Sequence, residues 1–299
     1  MVGLKDVTGA LQCILLGAKD SVLGIWPVFQ LIKKNDKVRS QMLQCFLLNG
    51  VILWLSVLLF DYVLLPVIQI MANFVFSFVR GSSDSEDVSL LGLVTWYMFT
   101  GLWVLPVFWI SKPINSIWFQ DIASAAFKGS NQRSKTKKSE SSSSLSQSIS
   151  RLIADLLFSI VIELLFLIQA MLVGLIPIVG YYASVLHMAV LYSLYSFEYK
   201  WMYQGWIVHQ RIALIEKNWP YFVGFGLPLA VLTALPSSTV ISACIFAVAF
   251  PFYIVSANEA KPRQSTLSTL PLFTIVVVIS NKLFSKSDPA SFNSKVTLN

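Results

Sequence analysis

Two acids stand inside long apolar runs, Asp61 and Glu163, and they are the sharpest candidates for chemistry in this chain. An ionisable group at membrane depth is costly and usually faces a bundle interior or a wet cavity. One reading makes the two acids part of an ion or proton path. The other, preferred here, has them hydrogen-bonded between helices or, for Asp61, shifted toward the interface and partly neutral, because no opposite charge is visible within their runs. A second group is a belt of balanced charge with interleaved aromatics: Glu198, Lys200, Trp201, Arg211, Glu216, Lys217 and Trp219. It fits a membrane-surface layer with internal ion pairs, and it also fits a docking surface for a protein partner. A third is the polar break Pro236, Ser237 and Ser238 between two apolar runs.

Other chemistry is thinly represented. His187 and His209 are far apart with no neighbouring ligand, so no metal site is expected. Cys13, Cys45 and Cys244 show no C-x-x-C spacing and read as free thiols. The sequence has no phosphate-binding loop, no G-x-S-x-G elbow and no H-E-x-x-H. We expect no enzyme and no cofactor.

Composition says what must position these residues. The 299 residues are 56% hydrophobic and only 12% charged, with a mean hydropathy of +0.69, against about 25% charged in soluble proteins. The expected fold is all-α: a polytopic helical membrane protein of long spanning helices with one or more short helical hairpins. The net charge of +7 would suggest nucleic acid in a soluble domain. Here the basic residues lie between apolar runs, so anionic headgroups of the bilayer are the expected counter-charge and nucleic acid is not.

In chain order, residues 1–41 read as an amphipathic segment at or partway into the interface, without a leader peptide. Residues 42–127 hold two spans, Met42–Ile70 with Asp61 inside it and Leu90–Ile110 ended by Lys112 and Pro113. Ile117 to Ala123 then forms an amphipathic exit. Residues 128–148 are basic and Ser-rich, a composition that cannot bury enough apolar surface to order itself. Residues 149–286 carry a third span (Leu152–Ile178), a break at Gly180, a fourth span around Val185–Tyr195, the charged belt and a hairpin. The hairpin arms, Phe222–Leu235 and Thr239–Ser256, are short against the roughly 20 residues a crossing needs. Ala243 and Ala247 give a small-xxx-small spacing that permits close packing. Leu267–Phe284 has equal basic flanks and fits either a crossing or an interfacial helix. The tail, 287–299, reads as disordered. The basic segments at 33–39, 128–138, 198–217 and 261–263 all fall on one side in this topology, with the acidic 81–88 turn opposite. The positive-inside rule then puts them and the N-terminus in the cytosol.

Several strings resemble one family. They are Tyr195–Ser196–Phe197–Glu198–Tyr199–Lys200–Trp201, Ile215–Glu216–Lys217–Asn218–Trp219–Pro220–Tyr221–Phe222, and Ser256–Ala257–Asn258–Glu259–Ala260. With Lys19–Asp20–Ser21, Ile117–Trp118–Phe119–Gln120–Asp121 and Leu186–His187–Met188, they are similar to the etoposide-induced membrane proteins, also called the ectopic P-granule autophagy family. The resemblance spans about residues 10 to 285 and leaves out the Ser-rich loop and the tail. It implies a multi-pass protein of the endoplasmic reticulum, needed for autophagosomes to progress to degradation and linked in animals to growth suppression and apoptosis. It also implies distant kinship with CysZ-type sulfate permeases, whose fold combines long spanning helices with partly penetrating hairpins. Two functions follow. One is a non-enzymatic membrane organiser that recruits protein partners through its cytosolic segments, with a second copy of the chain admitted among them. The other is a permease or channel for a small anion such as sulfate, or for lipid. There the hairpin tip would supply hydrogen-bond donors, with Gly224 and Gly226 at the helix start.

Overall fold

The computed structural model describes residues 4–80, 85–129, 145–265 and 267–285, and among them every regular element is helical. Residues 81–84 of the acidic turn, most of the Ser-rich loop and the tail therefore lie outside the described residues, while 85–88 already belong to a helix. By contact the chain falls into two compact units. One joins residues 1–29, 126–231 and 252–299, and the other joins 30–125 and 232–251. Among the described residues five stretches are long and apolar enough to cross a membrane: Asp6–Lys34, Asp36–Val75, Leu90–Lys128, Leu157–Gly174 and Thr239–Glu259.

The second unit is built on two helical rods. The first combines α3 (Asp36–Phe46), α4 (Ser56–Leu59) and α5 (Leu65–Arg80) through π-helical turns at Leu47–Leu55 and Phe60–Leu64. The second runs from α6 (Ser85–Phe99) through a π-helical turn at Thr100–Val104 into α7 (Leu105–Gly129). Antiparallel pairing is fixed by polar and aromatic rungs. Asn49 and Asn115 exchange side-chain amide bonds of 2.9 and 3.1 Å. The Trp103 indole donates to Ser56 Oγ at 3.3 Å, and Phe60 stacks on Phe99 at 3.9 Å. At the open end Asp121 pairs with Lys37 at 2.9 Å and accepts from Gln41. The asparagine rung costs little in lipid because each buried amide meets the other.

The rods overrun the expected spans. Lys112 and Pro113 do not end the second one, since Pro113 lies inside α7. A proline removes one intrahelical bond and kinks a helix that packing still holds. The separate amphipathic exit at Ile117–Ala123 is thus the continuation of α7, with Phe119, Ile122 and Ala123 on its buried face.

The other unit begins with α1 (Leu4–Leu23) and α2 (Ile25–Lys34). Cys13, Gly17, Ser21, Gly24 and Val28 form a buried seam of mostly small residues, while Leu11, Leu15, Val22, Trp26 and Phe29 are exposed. The segment expected at the interface is thus packed along one edge and has the length and composition of a crossing. α8 (Leu145–Gly174) and α9 (Gly180–Tyr203) pair as a second hairpin. Gly180 opens α9 instead of breaking it, and the break is the turn before it, where Ile178 sits at φ 68°. α9 is not among the five stretches, because its serines, tyrosines, Glu198 and Lys200 lower its apolarity.

α10 (Val208–Lys217) leads into the hairpin of α11 (Trp219–Ala234) and α12 (Thr239–Glu259). α11 has 16 residues and α12 has 21, so α12 reaches crossing length and α11 does not. The last helix, α13 (Thr274–Ser285), has 12 residues, a rise of about 18 Å that falls short of a hydrocarbon core about 30 Å thick.

Candidate functional site

The charged belt lies where α9 ends, α10 turns back and α11 begins. Arg211 is buried, with 3% of its side chain exposed, and Nη1 donates to Glu198 Oε1 at 3.0 Å. Its Nε donates to the Trp206 carbonyl at 2.9 Å, and Nη2 reaches the same oxygen. The guanidinium thus fastens the α9–α10 turn while neutralising Glu198, the planar bidentate geometry that only arginine supplies. Ser159 Oγ on α8 lies within hydrogen-bond reach of both Glu198 and Glu163, with its one proton to share between them. Glu163 therefore sits in a polar cluster with Glu198 and Arg211. The sequence showed no counter-charge for it because Arg211 is 48 positions away and arrives through the turn.

Lys200 points the other way. It is 8% exposed and donates to the carbonyls of Ala257 at 3.2 Å and Ala260 at 2.8 Å. These are orphan acceptors at the end of α12, where a cation also meets the negative end of the helix dipole. Burial pushes the ammonium down from 10.5 to about 8, with Glu259 acting against that shift. The Ser256–Ala257–Asn258–Glu259–Ala260 string is therefore a helix terminus held from two sides. Ser256 donates to the Ser21 carbonyl and Asn258 to the Ala126 carbonyl.

Glu216 is equally occupied. Its carboxylate accepts the Phe273 N–H at 2.8 Å, just before α13, and its carbonyl accepts Leu270 N–H. Asn218 accepts Ser265 N–H at 3.0 Å. Trp201 is buried against Phe197 and Trp206, and Trp219 is half-buried against the core. Of the seven belt residues only Lys217 is exposed. What the belt presents outward is His209, Gln210, Ala213 and Lys217 along α10. Burial of Lys200 and Arg211 was not legible, because charges are almost never fully buried unless paired and their partners lie far along the chain.

The hairpin tip is an exposed turn at 235–238, with Ser237 exposed and Ser238 accepting Ile241 N–H as the cap of α12. Gly224 and Gly226 have a different role from the one expected at a helix start. Both lie within α11, where a Cβ on Gly224 would fall on the Ile14 carbonyl and one on Gly226 on the Ala189 carbonyl. They allow α1 and α9 to approach the α11 backbone. Asp20 completes that contact by accepting from Tyr221 Oη at 2.6 Å. Ala247 likewise serves packing, its carbonyl accepting from Cys45 Sγ at 3.1 Å. Asp61 is half-buried on its rod. His187 bonds the Ala183 carbonyl and Gln169, and no group of three or more potential metal ligands occurs among the described residues.

The family profile described as sulfate transporter CysZ/etoposide-induced protein 2.4 matches residues 25–243. The chain belongs to the EI24 family. Two EI24 homologs, from Arabidopsis thaliana and Dictyostelium discoideum, are each 26% identical to it. The first match covers 79% of this chain and 83% of the relative, the second 93% and 85%. Ectopic P granules protein 4 of Caenorhabditis elegans is 31% identical over 56% of this chain and 51% of its own length. No solved structure matches. The match to the EI24 profile includes the rods, the belt and most of the hairpin.

Proposed function

We propose that this EI24-family chain is a multi-pass protein of the endoplasmic reticulum that serves autophagy as a non-enzymatic membrane organiser, with the N-terminus and α10 in the cytosol. The observation that carries the reading is the internal wiring of the belt. Glu198 with Arg211 and Glu216 with the Phe273 N–H before α13 spend their charges on fixing α10 against its neighbours, while Lys200 fixes the end of α9 to the end of α12. That yields a rigid outward helix face suited to recruiting proteins. The link to autophagosome progression, growth suppression and apoptosis comes with the family. Charge reversal at Lys200 or Arg211 would test folding, so the informative change is Lys217→Glu with Gln210→Ala on the outer face. In cells lacking the protein, wild type should restore autophagic flux and the outer-face variant should not, at equal abundance. Full rescue by the variant would count against α10 as the recruiting surface.

The permease reading is supported by the sulfate-transporter half of the family description and by the polar hairpin tip. Purified protein in liposomes, assayed with sulfate, calcium and a labelled phospholipid, separates the two. Flux that Ser237→Leu abolishes would make transport primary. Absence of flux in correctly inserted protein leaves the organiser.

A further inference from the structure

One groove of the belt lies on its outer side. Trp206, Gln210, Ala213, Leu214 and Lys217 line a space of about 550 Å³ along the outer side of α10. We propose that it seats an anionic phospholipid, with the headgroup phosphate at Lys217 Nζ and the glycerol and upper acyl chain along Trp206 and Leu214. It goes beyond the recruiting role proposed for the same face of α10, which would then be presented at a lipid-occupied surface, and it does not rest on a role in autophagy.

Charge complementarity is the first argument. The lining has one cation and no carboxylate. The nearest acid on α10, Glu216, is committed to the Phe273 N–H. Two more exposed cations, Lys261 and Arg263, sit on the segment that Asn218 and Glu216 tie back to the end of α10 through Ser265 and Leu270. They add positive potential at that end of the helix, where an anionic surface is attracted.

The apolar wall decides for a lipid over a free anion or an acidic peptide. Trp206 is pre-set: its ring lies parallel to Trp201, with a 4° angle between the planes, and its carbonyl is held by Arg211. The same turn exposes Met202 and Ile207. These side chains are uncovered apolar surface in water and well placed at headgroup depth, where amphipathic rings collect. α10 connects the end of α9 to the start of α11, so a groove on its flank opens where acyl chains meet headgroups.

The test uses the full chain in phosphatidylcholine nanodiscs doped with photoreactive phosphatidylserine, or with the same label on phosphatidylcholine, and maps adducts by mass spectrometry. Labelling within 201–217 should favour phosphatidylserine about fivefold, the weight of one lysine near an anionic surface. Lys217→Gln should remove that preference. Ala213→Trp, which fills the groove from an exposed position, should remove labelling by both lipids, and inorganic phosphate should not compete. Lys217→Gln is a surface change expected to leave thermal unfolding unaltered, so it carries the test if the tryptophan variant unfolds. Equal labelling by the two lipids, indifference to Lys217→Gln, or displacement by inorganic phosphate or by an acidic peptide would each overturn the proposal.

Discussion

Arg211 donates to Glu198 and to the Trp206 carbonyl from a buried position, so removing it strands a carboxylate as well as a turn. Arg211→Met should cost about 3–5 kcal/mol, the usual result of breaking a buried pair from one side. Adding Glu198→Gln should recover part of that loss, which thermal unfolding in detergent would register; no recovery would mean that Arg211 acts through Trp206 alone. Lys200 carries a pH signature. Its folded pKa of about 8 lies below the ordinary 10.5, so between those values the unfolded chain binds more protons. Stability should therefore rise with pH across that window, because deprotonation relieves the cost of a buried ammonium. Melts at pH 7.5, 9 and 10.5 should show the rise in wild type and a flatter profile in Lys200→Met. Equal profiles would place the ammonium in water.

At the scale of elements, helices meet where side chains are missing. A Cβ on Gly17 would strike the Tyr221 carbonyl, and one on Gly224 the Ile14 carbonyl. Neither backbone can yield without separating α1 from α11. Gly224→Val should lower stability by several kcal/mol, as overpacking at a backbone contact does. Gly101→Val, with nothing within 4 Å of the new Cβ, should be close to neutral and serves as the matched control. Equal loss in both would mean that β-branching in the helix, not the crossing, sets the effect. Tight crossings of this kind substitute in lipid for the hydrophobic drive that water supplies elsewhere.

At the scale of the molecule, length against bilayer thickness sets the question. The 40 residues of Asp36–Val75 reach about 60 Å as a helix, twice the hydrocarbon core. Exposed apolar side chains run along it from Leu43 to Val75 and continue beyond it to Phe78. One bilayer cannot cover all of them along an upright rod, and a second copy of the chain is the partner we expect. A Phe78→Cys variant should form a bismaleimide-linked dimer in native membranes. Monomer alone, at this and at neighbouring exposed positions, would assign the surface to lipid through tilt.

The all-helical membrane class was readable from apolar runs and scarce charge, since both follow from composition and local period. So were the two rods, the hairpin and the family, because strings such as Ile215–Glu216–Lys217–Asn218–Trp219–Pro220 are local. Helix ends were less legible. Pro113 and Gly180 are breakers by propensity, yet one lies within a helix and the other begins one, because packing outweighs a local preference of a few kcal/mol. Only the tertiary structure decided which way the belt faces. Glu163, Glu198 and Arg211 come from three helices, and Lys200 meets carbonyls 57 and 60 positions away. The cost of burying a charge is met by partners that no spacing in the sequence records.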